Sequence, residues 1–417
     1  MEILWKKFGY FSIFRSLFWN LEKIFFPLFW FYLSHFLHLT VPIGIKLIWP
    51  PSFSTTSQIN FECIAASGAS VDPRDTLITT TEDNCLTQEE ITCFTITDTE
   101  GVNYTLNTNG ELSTTYYVSA DGNDDNDGVS IDTPFKTLKN AITKANDSGI
   151  NQIYVIGTLN ATSEGYSGGS GSGEAYSTFY IQDENLGSEE NPLIIEGYDD
   201  TATLSADYDD SESNVRVFAT KNSCHITMKN LTITGGTTTG SGSALYYYGG
   251  VLTLEDCVIE GNSSSSTNSD SGIEYDVYMY SSSKLNLTGT ECYDGIYLSS
   301  SSAYFGDDSL LGYNGTENTP IMHIDSSTVT LSGSVSLFNS IYSDAKNPIY
   351  IDSTLTAHTS ASTGSKVSVV LSNYATGTQI VSLTESSTAN LEEETAKFYL
   401  QDENYAIDTS GQIISQN

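Results

Sequence analysis

Positive charge is scarce in this chain. Its 417 residues include 16 lysines and arginines against 52 aspartates and glutamates, which gives a formal net charge of −36. From residue 118 onward there are 10 basic and 40 acidic residues, or −30, and Arg216 is the one arginine. A field of this sign repels nucleic-acid phosphate and anionic membranes. We therefore expect no nucleic-acid partner, and we interpret the charge as a well-hydrated extracellular surface.

Tryptophan is absent after residue 49, and nine of the eighteen phenylalanines also lie in the first fifty residues. Basic residues precede an uncharged apolar run from Ile24 to Ile45, whose 22 residues can span a bilayer. We predict that 1–50 is an N-terminal anchor and that membrane contact is limited to it. A signal peptide and a spurious leader from a miscalled start codon are the alternatives.

Zinc-binding patterns are also missing. The six cysteines form no Cys-x-x-Cys motif, and His225, His323 and His358 are isolated in the sequence, so no zinc site is expected. Cys224, Cys257 and Cys292 are spread among predicted strands and are expected to be small buried apolar residues. Cys85 and Cys93 are close enough in sequence to form a disulfide, and Cys63 is an alternative partner.

The chain has one segment with a strong helical pattern. Thr133 is predicted as the N-cap and Pro134 as the first helical residue. Apolar residues then recur on one face as far as Ala145, and Gly149 provides a stop. The preceding Tyr116–Val118 favours a strand. A strand followed by a loop and an amphipathic helix is what an open stack of strands needs as a cover for its first coil.

The loop between that strand and the helix is acidic. Asp121, Asn123, Asp125 and Asp127 alternate as calcium ligands do in an EF-hand. However, Asn126 stands where that motif needs glycine, and Asp132 stands where it needs glutamate. We predict a solvated turn and no cofactor, with calcium as the alternative.

An internal repeat indicates the fold. Ile226–Gly235 aligns with Leu252–Gly261, 26 positions later, and apolar residues and the final glycine coincide. Leu285-Asn-Leu287 restates the pattern after 33 positions, and Val329-Thr-Leu331 after 44, which we interpret as two turns of 22. These spacings suit coils better than the hairpins of an antiparallel sandwich. We predict an all-β, right-handed, single-stranded parallel β-helix over 115–390, with an N-terminal capping α-helix. Further strands are predicted at Gln152–Leu159, Leu193–Glu196, Val215–Ala219, Tyr275–Tyr280, Ile349–Asp352, Lys366–Leu371 and Gln379–Leu383.

A second self-match joins the two ends of the chain. Glu89–Leu112 resembles Glu393–Ile413, and both contain Asn-Tyr, then Thr and Gly, then a closing hydrophobic residue. We predict that 391–417 is a hairpin-like cap and that 51–114 is a linker with a small β module. As a hypothesis, that module is the end of a preceding repeat.

Two stretches resemble known families. Tyr117–Gly128 with Thr133–Ile142 resembles the N-terminal cap of pectin-lyase-like right-handed β-helix proteins. Leu231–Gly236 with Gly249–Asn262 is similar to the coils of bacterial polymorphic outer-membrane proteins, although Ser243-Ala-Leu245 departs from their Gly-Gly-Ala-Ile. The resemblance implies an extracellular or cell-surface protein associated with a bacterial outer membrane, with carbohydrate or host components as partners.

The sequence contains no convincing set of catalytic residues. Lyases of this fold pair calcium-binding aspartates with a basic residue, yet the basic candidates here are few: Arg216, Lys221, Lys229 and Lys284. Glycosidases use two carboxylates. The adjacent acid pairs are Asp199-Asp200, Asp209-Asp210 and Asp307-Asp308. Such pairs arise by chance in an acidic chain, so we assign no catalytic residue.

Tyrosines crowd the middle coils. Alternate residues of a strand face outward, and the four that we predict to bind ligand are Tyr246, Tyr248, Tyr278 and Tyr280. They are expected either to stack on sugar rings or to form ladders that stabilise successive coils. Two functions follow: a non-catalytic surface protein for adhesion, glycan binding or structural display, or a carbohydrate-active enzyme, either a polysaccharide lyase or a glycoside hydrolase. A groove of tyrosines with clustered aspartates and a lysine would favour the enzyme.

Overall fold

The chain divides into two compact units, Met1–Thr114 and Thr115–Asn417. The computed structural model describes 114–416 except for 166–176, 182–185, 208–214, 265–274, 294, 313–319, 339 and 357–365. Before residue 114 it describes the backbone of six strands. Strands and helices are numbered in chain order. The first six strands are β1 Ile45–Lys46, β2 Ile59–Cys63, β3 Ile78–Thr79, β4 Phe94–Asp98, β5 Asn103–Leu106 and β6 Leu112–Ser113.

The first unit combines parallel and antiparallel pairs. β1 pairs with β3, and β2 pairs with β4, both in parallel. β4, β5 and β6 then pair as consecutive antiparallel strands. The predicted membrane segment up to residue 44, as well as Cys85 and Cys93, lies outside the described residues.

Three parallel sheets make up most of the second unit. Sheet A has the order β7 Thr115–Ser119, β8 Gln152–Ile156, β11 Leu193–Gly197, β14 Cys224–Lys229, β18 Gly250–Glu255, β22 Lys284–Thr288, β25 Ser302–Phe305, β28 Thr328–Leu331, β31 Ile349–Ile351 and β33 Val381–Leu383. Sheet B has the order β10 Ser177–Ile181, β13 Arg216–Thr220, β17 Leu245–Tyr248, β21 Val277–Tyr280, β24 Ile296–Ser299, β27 Pro320–Asp325, β30 Ser340–Ser343, β32 Val367–Leu371 and β34 Phe398–Leu400. Sheet C has the order β9 Thr158–Leu159, β12 Thr203–Ser205, β15 Thr232–Thr234, β19 Val258–Ile259, β23 Glu291–Cys292, β26 Leu310–Leu311 and β29 Ser336–Leu337.

The chain visits these sheets in a fixed order. From β8 to β30 each coil contributes a strand to sheet A, then to sheet C, then to sheet B, and the next coil pairs in parallel with it. The fold is therefore a parallel β-helix, and the antiparallel sandwich is excluded for these residues. The short strands β16 Thr237–Thr238 and β20 Ser263–Ser264 also pair in parallel.

The repeat found in the sequence is a repeat of coils. Ile226 is the Cα partner of Leu252, and Leu252 is the partner of Leu285. The expected pair of equal 22-residue turns is wrong in length, because Leu285 pairs with Ala303 and Ala303 pairs with Val329. The two turns therefore have 18 and 26 residues.

The core runs through the stack. Inward side chains such as Ile226, Leu252 and Leu285 are at most 1% exposed. Cys224, Cys257 and Cys292 are buried, as predicted. Burial raises the pKa of the Cys257 thiol to about 12, so this cysteine is an apolar core residue and not a reactive thiolate.

The helix begins later than predicted. Helix α1 spans Leu138–Ser148; its N-cap is Thr137, whose Oγ1 accepts a bond from Asn140 N, and Gly149 ends it in the left-handed region. Thr133 cannot be the N-cap, because Phe135 is held in an extended pairing: Phe135 N donates to Tyr117 O, and Phe135 O accepts from Ser119 N.

Helix α1 packs where the stack begins. Its buried residues Leu138, Ala141, Ile142 and Ala145 belong to the continuous core. It contacts β7, β8 and β10, and β7 and β10 are the first strands of their sheets. That it shields the open end from further pairing stays a prediction.

The last coils are followed by a short helix and a hairpin. Helix α2 spans Leu391–Thr395, and strands β35 Tyr405–Ile407 and β36 Ile413–Ser415 form an antiparallel hairpin. Backbone bonds tie the hairpin to the preceding coil, since Ile413 N donates to Thr378 O and Ile380 N donates to Gly411 O.

Candidate functional site: an aromatic face

Strand alternation brings the four predicted tyrosines together on the outer side of sheet B. In β17, Tyr246 and Tyr248 lie outside while Tyr247 is fully buried. Burial raises the pKa of Tyr247 well above its usual value. In β21 the same alternation places Tyr278 and Tyr280 outside. The two pairs are in register, since Tyr246 partners Tyr278 and Tyr248 partners Tyr280.

The four rings contact one another. The ring centroids of Tyr246 and Tyr280 are 4.9 Å apart, those of Tyr248 and Tyr280 are 5.0 Å apart, and those of Tyr278 and Tyr280 are 5.2 Å apart. These spacings are those of favourable aromatic pairs. The rings therefore form a ladder between coils, and their use in ligand binding stays a prediction.

The ladder continues over three further coils. Tyr278 partners Tyr297, Tyr297 partners His323, and His323 partners Tyr342. The Tyr278 and Tyr297 rings are 5.1 Å apart, and the His323 ring is 4.5 Å from both Tyr297 and Tyr342. We call the combined surface the aromatic face; its members are Tyr246, Tyr248, Tyr278, Tyr280, Tyr297, His323 and Tyr342.

Tyr275 covers the middle of the aromatic face. It precedes β21, is 1% exposed, and its ring lies 4.6 Å from Tyr297. Its Oη is 2.8 Å from His323 Nδ1. The part of the face near His323 is therefore closed, whereas the part around Tyr248, which is 37% exposed, is open.

Two tyrosines of the face, Tyr278 and Tyr297, have raised pKa values and are therefore neutral at physiological pH. Burial, followed by the neighbouring Tyr246, raises the pKa of Tyr278. Burial, followed by Asp325, raises the pKa of Tyr297 to about 12. The face thus offers apolar ring surfaces with hydroxyl groups, the combination that suits a neutral ligand with both apolar and polar edges.

Arg216 is not free to act as a base. It is 5% exposed, its Nε donates to Ser241 O, and its guanidinium carbon lies 4.7 Å from the centre of the Tyr246 ring. This cation–π contact places the arginine at the end of the aromatic face, where it supports Tyr246.

An acidic cluster borders the other end of the face. Tyr297 Oη donates to Asp325 Oδ2 over 3.4 Å. Lys346 Nζ lies 2.8 Å from Asp344 Oδ2 and 3.7 Å from Asp325 Oδ1. Burial acts to raise the pKa of Asp344, but hydrogen bonds from Lys346 and Ser326 outweigh it and lower that pKa. The hydrogen bond to Asp344 raises the pKa of Lys346. Both groups are therefore charged at neutral pH.

The other catalytic candidates are dispersed. Lys229 is paired with Glu255 at 2.6 Å and Lys284 with Glu189 at 3.4 Å, in different parts of sheet A. Asp199 is exposed, and bonds from the side chain and backbone of Thr201 lower its pKa.

The remaining acid pairs have structural roles or cannot be described. Asp307 Oδ1 accepts from Ser334 N, and Asp308 Oδ1 accepts from Ser334 Oγ, so this pair holds a turn to the next coil. Asp209, Asp210 and His358 lie outside the described residues.

The acidic loop before α1 uses its carboxylates to bind the protein itself. Asp124 Oδ1 accepts from the backbone N of Lys136 and of Thr137, and Asp127 Oδ1 accepts from Val129 N and Thr133 Oγ1. Within the described part of the chain, no group of three or more His, Cys, Asp or Glu side chains is arranged to hold a metal ion.

Sequence reasoning missed a second aromatic cluster, on the outer side of sheet A. Tyr117, Tyr154 and Tyr198 have ring centroids 5.7 to 6.2 Å apart, and Tyr198 is 48% exposed. The sequence could have indicated this cluster, because each tyrosine is next to an inward-facing residue of a strand. These inward residues are Val118, Val155 and Gly197.

A further missed residue is Glu164, which lies at the N-terminus of α1. Its oxygens accept from Leu138 N at 2.7 Å and from Lys139 N at 3.3 Å. Burial raises the pKa of Glu164 to about 7, against the lowering effect of these two bonds. Because both oxygens serve the helix, the carboxyl stabilises α1 and does not face an open site.

Comparison with known proteins adds no assignment. No family model matches the chain, and no curated protein matches it. Across the described residues, no helix is long and apolar enough to cross a membrane.

Proposed function

We propose that this chain is a non-catalytic, exported β-helical protein that binds carbohydrate on its aromatic face. The observation that carries the proposal is the continuous contact of Tyr246, Tyr248, Tyr278 and Tyr280 across two coils, with Tyr248 partly open to solvent. Tyrosines on a rigid sheet contribute contact area at a small loss of conformational entropy. A sugar chain lying along the stack would meet rings from successive coils.

Charge favours neutral or amino sugars over uronic acids. The chain carries −36 overall, Arg216 is buried against Tyr246, and Asp325 and Asp344 border the face. Acidic glycans would be repelled unless calcium screened both partners.

The ionisation states support binding without turnover. A glycosidase of the usual kind needs one protonated carboxyl beside one ionised carboxylate. A lyase needs an unprotonated base. Beside Tyr297, however, Lys346 has a raised pKa and stays protonated, so it is not held as the base of a lyase. Asp344 has a lowered pKa and stays ionised, so it is not held as the protonated acid of a glycosidase.

A carbohydrate-active enzyme is the second candidate. The observation in its favour is the adjacency of Tyr297, Asp325 and Lys346, which joins an aromatic surface to acids and a lysine.

The parallel stack and the segment from Tyr117 to α1 support a pectin-lyase-like relationship, and the coils around Leu231 and Gly250 support a relationship to polymorphic surface proteins. An exported, cell-surface location is part of the proposal.

The test is a binding screen of the purified full chain against neutral, amino and acidic glycans, with and without calcium, followed by analysis of each glycan for cleavage. The proposal predicts binding to a neutral or amino glycan with no product. Product formation would establish the enzyme instead. Binding to none of the glycans would refute both.

A further inference from the structure

Two hairpins of the chain share one sequence pattern and one register. Asn103–Leu112 reads NYTLNTNGEL and Asn404–Ile413 reads NYAIDTSGQI, with identical Asn, Tyr, Thr and Gly. In the first hairpin Leu106 partners Leu112 and Thr105 partners Ser113. In the second, the equivalent residues are partners: Ile407 with Ile413 and Ala406 with Ile414.

The strands before the two hairpins are also equivalent. β4 begins at Phe94, and Phe94 partners Ile59 in a parallel pair with β2. β34 begins at Phe398, and Phe398 partners Val367 in a parallel pair with β32. In each unit, therefore, a parallel pair that starts at phenylalanine is followed by an antiparallel hairpin of the same register. The hairpins differ in one respect, since β5 also pairs with β4, whereas β35 and β36 form a sheet of their own.

The position of β32 shows what such a parallel pair belongs to. β32 pairs with β34 on one side and with β30, a strand of the preceding coil, on the other. In the first unit the described strands have the order β2, β4, β5 and β6, so β2 corresponds to β32 as the parallel partner of the strand that begins at phenylalanine. Parallel strands are stable mainly as parts of larger buried sheets.

We infer that residues 59–113 are the last coil and the closing hairpin of a second β-helical unit of the same kind. The inference is independent of glycan binding. It makes the chain a tandem arrangement of β-helices, each ended by the same hairpin.

One residue shows why the hairpin pattern is restrictive. Gly411 has a φ of +81°, and a Cβ there would lie 2.1 Å from Val381 O. Gly411 N also donates to Asp408 O within the hairpin turn. Gly110 is the counterpart of Gly411 in the first copy, and the inference gives it the same requirement.

The test replaces the second hairpin by the first in the full chain. In one variant, residues 404–413 carry the sequence of 103–112; in a control, they carry a scrambled version of that decapeptide. If the first hairpin is a closing element, the exchanged chain keeps the amide protection of β32, β34 and β36 in hydrogen exchange, and the scrambled chain loses it. Equal loss of protection in both chains would overturn the inference.

A second arm examines the first unit where it stands. The wild-type chain should show protected amides in β4, β5 and β6, and Gly110→Val should remove that protection without changing β34 to β36. The matched control is Asn109→Ser, which introduces the residue of the other copy and should leave protection unchanged. Exchange of β4 to β6 at the unfolded rate in the wild-type chain would also overturn the inference.

Discussion

Tyr275 and His323 are 48 residues apart in the sequence, yet Tyr275 Oη lies 2.8 Å from His323 Nδ1. His323 is 4% exposed and lies between Tyr297 and Tyr342 in the aromatic face. The bond therefore provides a partner for a buried ring nitrogen and fixes Tyr275 over the face.

Tyr275→Phe tests this relationship. The variant keeps the ring but leaves the imidazole nitrogen without its hydroxyl partner, so we expect it to lower the free energy of unfolding by about 1–3 kcal/mol. Chemical denaturation of wild type and variant gives the value. Tyr248→Phe is the control, because its ring is 37% exposed and water replaces the lost contact. Equal stability of Tyr275→Phe and wild type would contradict the assignment.

Glu164 predicts a pH dependence of stability. Because its pKa is raised to about 7 in the folded protein from an ordinary value of 4.5, the folded state favours the protonated carboxyl. The contribution is fully present below about pH 4.5 and is lost as pH rises through about 7. Glu164→Gln removes this titration.

The measurement is the difference in melting temperature between wild type and Glu164→Gln from pH 4.5 to pH 8. As pH rises, wild type should lose stability relative to Glu164→Gln, so the difference in melting temperature should change in favour of the variant. Above the pKa of Glu164 the difference should become constant. Asp199→Asn, at an exposed carboxyl, is the control and should show no such change across this range. A constant difference for Glu164→Gln would show that the folded state does not favour protonation.

Near the C-terminus a buried carboxylate is paired with a partly exposed lysine, and we expect a large effect when the lysine alone is replaced. Glu394 is fully buried; Lys397 Nζ lies 2.7 Å from its Oε1 and also donates to Leu355 O. Lys397→Met leaves the carboxylate without its cation and should lower the free energy of unfolding by about 3–5 kcal/mol.

Two further variants serve as controls for Lys397→Met. Lys346→Met removes a lysine that is 62% exposed, so stability should change far less. Adding Glu394→Gln to Lys397→Met removes the uncompensated charge and should restore part of the loss. If Lys397→Met and Lys346→Met lowered the free energy of unfolding equally little, the pair of Glu394 and Lys397 would not stabilise the protein.

At Gly250 two successive coils approach so closely that we expect no side chain to fit. It has a φ of +71°, and a Cβ would lie 1.9 Å from Cys224 O in the preceding coil. Gly250→Ala should therefore lower stability by about 2–4 kcal/mol through backbone strain and displacement of the neighbouring strand. Gly377→Ala is the matched control, because Gly377 has a φ of +85° but nothing within 4 Å of a Cβ. Similar melting temperatures for the two variants would refute the clash.

The sequence predicted the coils wherever inward residues repeat. Ile226, Leu252 and Leu285 are equivalent because each coil buries an apolar residue at this position. The next coil was not recognised because Ala303 stands there instead of a large aliphatic residue. The start of α1 was misplaced because Thr133-Pro134 satisfies local capping rules, while Phe135 is extended by pairing with Tyr117.

The aromatic face was predictable only in part. Alternation within β17 and β21 indicated which tyrosines face outward, and this is a local property of each strand. The contributions of Tyr275, His323 and Tyr342 depend on which strands lie side by side, and that depends on coil lengths that vary from one turn to the next.

Glycan binding on the aromatic face is tested most directly by the affinity of Tyr248→Ala for the glycan that the screen identifies, measured by calorimetric titration. Loss of a stacking tyrosine at the open part of the face should weaken binding by at least about 10-fold, equivalent to about 1.4 kcal/mol. Tyr399→Ala is the matched control, since Tyr399 is 41% exposed but lies on β34. We expect wild-type affinity for Tyr399→Ala and weakened binding for Tyr248→Ala; unchanged affinity in both variants would contradict glycan binding on the aromatic face.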